Sequence, residues 1–260
     1  MAHVETLPLL LKQLGLLSML AHWEDQEAIS QKRNERYGSY LANLAEVEVT
    51  RRYDRRIATY IKQSNLPAGK TLATFDFKAT PTVNAQKFTS LADNPDWVRQ
   101  SCNLMIFGPS GVGKTHLAAA IGYRMIEHGI RCLFTSTMEL VQKLQAAKQQ
   151  YKLPEMLTRL AKYPLLILDD IGYVKKNETE TGVLFELIAD RYETNSLIIT
   201  ANQPFSEWNN IFPDNMMAVA AIDRLIHHAT VITIPEGSYR QLVYEKNKNQ
   251  LISEIVGEKS

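Results

Sequence analysis

The chain has 260 residues, of which 45% are apolar and 22% charged, and its formal net charge is +1. That composition is ordinary for a soluble globular protein able to bury a core, and the length allows one large domain or a core with a smaller appendage. Overall charge points to no partner, so any nucleic-acid surface has to come from local clustering.

In chain order, the first apolar stretch is Leu7 to Leu20, which Lys12 and Gln13 interrupt. It is too short to span a bilayer and has no preceding basic segment, so the expected location is the cytoplasm, with no membrane partner. Leu7, Leu10, Leu11, Leu14 and Leu17 recur at helical spacing, as do Leu41, Leu44, Val47, Ile57 and Ile61. Residues 4–66 therefore read as helical, ending near Pro67-Ala68-Gly69. Residues 70 to 100 read as a connector with a short helix, in which Thr71 to Phe77 packs against later parts of the chain.

From residue 103 the texture changes. Short apolar runs at Asn103–Phe107, Arg131–Thr135, Leu165–Leu168, Ser196–Thr200 and Thr230–Ile234 read as strands. Between them, helical patterns cover Lys114–His128, Met138–Gln150, Pro154–Lys162, Glu180–Glu193 and Met216–His228, and a polar helix over Tyr239–Val256 closes the chain. Strands alternating with helices predict an α/β core whose parallel sheet carries helices on both faces. The expected organisation is a small all-helical N-terminal domain over 1–68, a connector over 69–102 and the α/β domain over 103–260. Cys102 and Cys132 show no metal-ligand spacing and read as small buried hydrophobes in a reducing compartment.

The segment Gly108-Pro109-Ser110-Gly111-Val112-Gly113-Lys114-Thr115, followed by His116, fits the phosphate-binding pattern G-x-x-x-x-G-K-[ST]. Its glycines let the backbone curl until successive N–H groups point at phosphate oxygens, and the following helix adds its positive end. Lys114 would reach the β and γ phosphates of ATP, and Thr115 would offer its hydroxyl to Mg2+. The run Leu165-Leu166-Ile167-Leu168-Asp169-Asp170 delivers two carboxylates to the carboxyl edge of a sheet. Asp169 would hold Mg2+, largely through water, and Asp170 would polarise the attacking water. Asn202, after the Ser196–Thr200 strand, would touch the γ-phosphate or that water; equally, it could serve only the turn before Pro204.

Together these motifs resemble the AAA+ P-loop NTPases, and more narrowly the IstB-like transposition helpers and their relative, the DnaC helicase loader. The residues that carry the narrower resemblance are Asn65-Leu66-Pro67 to Lys70-Thr71-Leu72, Phe75-Asp76-Phe77, Leu166 to Gly172, Ile198 to Asn202 and Ala221 to Leu225. The resemblance implies that Asn202 is a sensor and that Arg224 is an arginine finger completing a neighbouring subunit's ATP site, so that ATP holds a homo-oligomeric ring or spiral together. It implies, more loosely, a second sensor at Arg240. Asp170 stands where most AAA+ proteins place Glu, which implies slow or stimulated hydrolysis. Its implied activity is ATP hydrolysis in an assembly on duplex DNA that serves a cognate transposase.

DNA contacts have two candidate strips. Residues 51–70 carry Arg51, Arg52, Arg55, Arg56, Lys62 and Lys70 against Asp54 alone, and Arg52, Arg55 and Arg56 share one helix face. Lys143 and Lys148 lie in a second basic strip between the two ATP motifs. Both suit phosphate contacts without sequence choice, and the alternative for each is a solvated charged face. A helicase loader preferring single strands and a metabolic kinase with a small-molecule acceptor stand as alternatives.

Overall fold

The structure is a computed structural model that describes residues 4–171, 178–204, 207–208 and 215–235. The chain divides into two compact units, Met1–Thr59 and Tyr60–Ser260. The closing helix expected over 239–256, and with it Arg240, lies outside the described residues.

The first unit is helical. It holds α1 (Leu7–Gln13), α2 (Leu17–Lys32) and most of α3 (Tyr37–Gln63). The heptad-like leucines do not form one continuous helix. Gly15 takes a left-handed φ of 67° and breaks the chain between α1 and α2, so Leu11 is buried while Leu14 and Leu17 face solvent. A small core of Leu11, Met19 and Leu44, flanked by Trp23 and Tyr40, holds the three helices.

One buried carboxylate organises the start of α2. Glu48 of α3 accepts from the Ser18 and Met19 amides at 2.7 and 3.1 Å, two donors that a helix N-terminus leaves without partners. Arg52 donates to the same carboxylate at 2.6 Å and to the Gly15 carbonyl at 3.1 Å. Burial works against the charged carboxyl, but the Arg52 bond and the two amides outweigh it and hold Glu48 below the usual carboxylate range. A carboxyl with a lowered folded pKa stabilises fully above its unfolded pKa, and the contribution is lost as pH falls through the folded value. The Glu48→Gln variant is therefore expected to lose about 1–2 kcal/mol of first-unit stability at neutral pH, and the gap to wild type should close in acid. Unfolding followed by Trp23 fluorescence at several pH values, with Trp97 and Trp208 replaced by Phe in both proteins, checks this; a gap that persists in strong acid would contradict it.

The second unit carries a parallel five-stranded sheet in the order β2-β3-β4-β1-β5. Its strands are β1 (Asn103–Phe107), β2 (Cys132–Ser136), β3 (Leu165–Asp169), β4 (Ser196–Ala201) and β5 (Ala229–Thr233). All residues of β1 and β4 are buried, which is why they read as unbroken apolar runs. Side chains alternate between faces. Met105, Phe107, Leu166, Leu168, Leu197 and Ile199 join the core under α7 (Thr137–Gln149), α8 (Leu153–Ala161), α9 (Glu178–Arg191) and α10 (Asn215–Ile226). The opposite face takes α6 (Lys114–Glu127), which α4 (Ala85–Asp93) covers in turn. The connector thus holds two short helices, α4 and α5 (Asp96–Arg99), where the sequence suggested one. On the outer edge of β2, the Phe134 amide donates to the Ser64 carbonyl just past α3. Cys132 is buried and burial pushes its thiol up, as expected of an inert core residue, whereas Cys102 is only half-buried. Among the described residues, no helix is long and apolar enough to cross a membrane.

A buried arginine fastens the amino edge of the sheet. Arg191, 1% exposed, donates to the carbonyls of Leu160, Tyr163, Pro164 and Ser196. Burial lowers its pKa to about 10 against the opposing pull of Asp190, so it stays charged at neutral pH. Arg191→Ala removes four guanidinium bonds, although the Leu160 and Pro164 carbonyls keep the Tyr163 and Ser196 amides, and is expected to cost about 3–5 kcal/mol. Chemical denaturation of the second unit measures the loss; a cost under about 1 kcal/mol would mean that water replaces the guanidinium.

Candidate nucleotide site

The strand order places the site. Going from β1 to β2 the chain crosses β4 and β3 in one direction, and every later crossover runs the other way. That reversal leaves a crevice at the carboxyl ends of the central strands. A cleft of about 430 Å³ opens there, lined by Lys70, Ser110, Gly111, the run from Gly113 to His116, Asp169, Asp170, Thr200 and Asn202.

The loop from Gly108 to Gly113 joins β1 to α6 around backbone shapes that only glycine allows. A Cβ on Gly108 would lie 2.6 Å from the Ile234 carbonyl oxygen. Gly113 caps α6 at φ 93°, and a Cβ there would meet the Phe75 ring at 2.6 Å. The packing expected of Thr71 to Phe77 against later parts of the chain is found here. His116 Nε2 lies 2.9 Å from the Thr71 carbonyl, which requires that nitrogen to carry the proton, and its ring stands edge-on to Phe75. Beside the loop, Phe75, Val112, Gly113, His116, Thr74, Asp76 and Thr80 enclose a second, smaller pocket of about 160 Å³.

The polar groups form one connected network. Lys114, 7% exposed, donates to the Gly108 and Pro109 carbonyls at 2.8 Å and to Asn202 Oδ1 at 2.6 Å. The Asn202 amide donates to Asp170 Oδ1 at 3.3 Å. Thr115 donates to Asp169 Oδ2 at 3.1 Å, and Thr200 to Asp169 Oδ1 at 2.6 Å. The Thr200 hydroxyl also accepts from the Asp170 amide at 2.8 Å, fixing the turn at which Asp170 takes a left-handed φ of 63°. A lysine and two carboxylates therefore converge beside the N-terminus of α6, an arrangement chemically suited to a polyphosphate with a hard divalent cation. Thr115 and Asp169 supply the oxygen donors that Mg2+ prefers.

The structure brings Gly108 to His116, Asp169, Asp170 and Asn202 together. It does not bring Arg224 there. Arg224 lies on α10, donates to the Ala220 carbonyl at 3.0 Å, stacks over Phe185, and is not among the described residues lining the cleft. Lys143 pairs with Glu139, and Lys148 with Glu186, both on exposed surface. In the first unit Arg51, Arg55 and Arg56 are exposed, Arg56 over the Tyr53 ring, while Arg52 is held by Glu48. Two residues escaped the sequence reading. Lys70, counted there with the basic strip, lines the cleft, and Thr200, seen only as strand, joins both carboxylate positions.

Compared with known proteins, residues 9–249 match the family described as IstB-like ATP binding protein. The chain belongs to that family. An insertion-sequence ATP-binding protein of Sinorhizobium fredii is 45% identical over 235 residues, 90% of this chain and 79% of that one. Another, from Geobacillus stearothermophilus, is 36% identical over 92% of this chain and 96% of its own length. Among solved structures, the DnaC helicase loader superposes with a TM-score of 0.52 at 22% identity, covering 64% of this IstB-like chain and 97% of the loader. AMPPCP-bound DnaA from Aquifex aeolicus does so with a TM-score of 0.54 at 19% identity, over 72% of this chain and 57% of DnaA. These likenesses show the fold: a parallel α/β core of the kind found in the DnaC loader and in DnaA, here with a helical unit before it.

Proposed function

We propose that this IstB-like chain is an ATPase that assembles with ATP on duplex DNA and serves as helper to the transposase of an insertion sequence, in the cytoplasm. The observation that carries the reading is the single network joining Lys114, Asn202, Asp170, Asp169 and Thr115. In it, Lys114 binds the β and γ phosphates, and Thr115 and Asp169 hold Mg2+. The metal, when bound, neutralises charge that develops on the transferring phosphoryl group. Asp170 orients and polarises water, and Asn202, already bonded to both Lys114 and Asp170, reports the γ-phosphate to the water-activating carboxylate. The pocket behind Phe75 and Val112 takes the base. Arg224 acts on a neighbouring subunit's nucleotide, in keeping with its position outside its own cleft, and its planar fork suits a phosphoryl group. Arg51, Arg55 and Arg56 contact the DNA backbone, with Lys143 and Lys148 as a second strip; Arg52 supports them by fixing Glu48.

The test is binding to random duplex and single-stranded DNA, with ATP, ADP or no nucleotide, at one salt concentration and then across a salt series. Cooperative, ATP-dependent binding to duplex is expected, and Arg224→Ala should bind ATP yet lose assembly and turnover. A preference for single strands would favour a helicase loader instead, and normal turnover by Arg224→Ala would remove the finger role.

A further inference from the structure

We propose that Glu193, His227 and His228 form a transition-metal site on the amino edge of the sheet, separate from the nucleotide cleft and suited to Zn2+. One ligand atom from each of the three lies within 4.8 Å of the other two, and all three side chains are exposed to solvent. Two imidazoles and one carboxylate are the donor set that Zn2+ and its neighbours in the first transition row accept, with a fourth position left for water or another ligand. It is a poor set for Mg2+, which prefers oxygen.

The ligands come from two loops that the fold itself brings side by side. Glu193 sits between α9 and β4, and His227 and His228 between α10 and β5. Because the strands are parallel, both loops open at the edge opposite the nucleotide cleft, on either side of β1.

Their backbones are held before any metal arrives. Asn103, at the start of β1, has its amide donating to the His228 carbonyl at 2.8 Å, its side-chain amide donating to the Leu225 carbonyl at 3.1 Å, and its side-chain oxygen accepting from Leu197 at 2.9 Å. On the other loop, the Thr194 and Asn195 amides close onto the Arg191 carbonyl, and Glu193 takes a left-handed φ of 59° in that tight turn. The two imidazole centroids lie 4.0 Å apart, and the Tyr192 hydroxyl sits 2.9 Å from His227 Nδ1. A hydrogen bond to a ligating imidazole fixes the ring and its tautomer, the usual second contact of a histidine metal site. A metal here pins the end of α9 to the end of α10 across β1, so its binding is folding stability for the second unit.

The test uses full-length, tag-free protein cleared with chelator. Calorimetric titration with Zn2+ is expected to show one saturable equivalent, accompanied by a rise in Tm that Mg2+ does not give. Glu193→Gln and His227→Ala should each weaken Zn2+ by roughly tenfold or more, and the Glu193→Gln/His227→Ala/His228→Ala variant should lose the equivalent while its far-UV spectrum and cooperative unfolding persist. Co2+ bound to wild type should give the intense visible bands of a low-coordinate site, a readout that needs no variant. The site is overturned by the absence of a saturable equivalent, by Zn2+ affinity unchanged in the triple variant, or by a Co2+ spectrum identical to that of the aqueous ion.

Discussion

Asp170→Asn is expected to leave ATP bound while turnover falls by about 10²- to 10⁴-fold, the range that a positioned general base contributes. The substitution keeps the shape of the side chain and removes its charge. It also suits the backbone, because asparagine tolerates the left-handed conformation that Asp170 adopts at φ 63°. The Thr200 hydroxyl that anchors the Asp170 amide is untouched, so the turn stays where it is. What changes is the acceptor that faces Asn202 and would polarise water. Nucleotide affinity by calorimetry and single-turnover hydrolysis separate the two effects. Unchanged turnover would take the water-activating role away from Asp170, and joint loss of affinity and turnover would make its carboxylate a structural group.

Lys114→Ala is expected to weaken ATP by about 10²- to 10⁴-fold, from two charge-assisted phosphate bonds of roughly 1.5–3 kcal/mol each. The lysine is already extended into the cleft, held by the Gly108 and Pro109 carbonyls and by Asn202, so little side-chain entropy remains to be lost when phosphate arrives. Equilibrium binding of ATP, with Tm of the nucleotide-free protein recorded beside it, reads the effect. A variant that binds ATP within about threefold of wild type would place the triphosphate elsewhere.

The core of the second unit was legible because its signals are local. Buried parallel strands must be apolar throughout, so Leu104 to Phe107 and Leu165 to Leu168 stand out against amphipathic helices. The phosphate loop was legible because its conformation demands glycine at Gly108 and Gly113. What stayed hidden depends on contacts between distant segments. Thr200 reads as one more strand residue until Asp169 and Asp170 are brought beside it. Lys70 reads as the tail of a basic strip until the connector folds onto α6. Glu48 looks like a solvated acid on a charged helix, and only its place at the start of α2 shows that it is buried and that Arg52 is committed to it. The break at Gly15 was equally obscure, because leucine spacing on both sides continues a helical rhythm that the backbone does not follow.

The position of β1 in the sheet has a consequence for how the protein is made. Its partners are β4 and β5, with Asn103 opposite Ala229, so the strand that leads into the phosphate loop gains no neighbour until most of the chain has left the ribosome. The apolar run Leu104 to Phe107 must wait unpaired through that interval, and such delayed, distant pairing makes parallel sheets slow to form and prone to sticking. The nucleotide cleft itself is complete only once Asn202, just past β4, has been made, because it also draws on Asp169, Asp170 and Thr200.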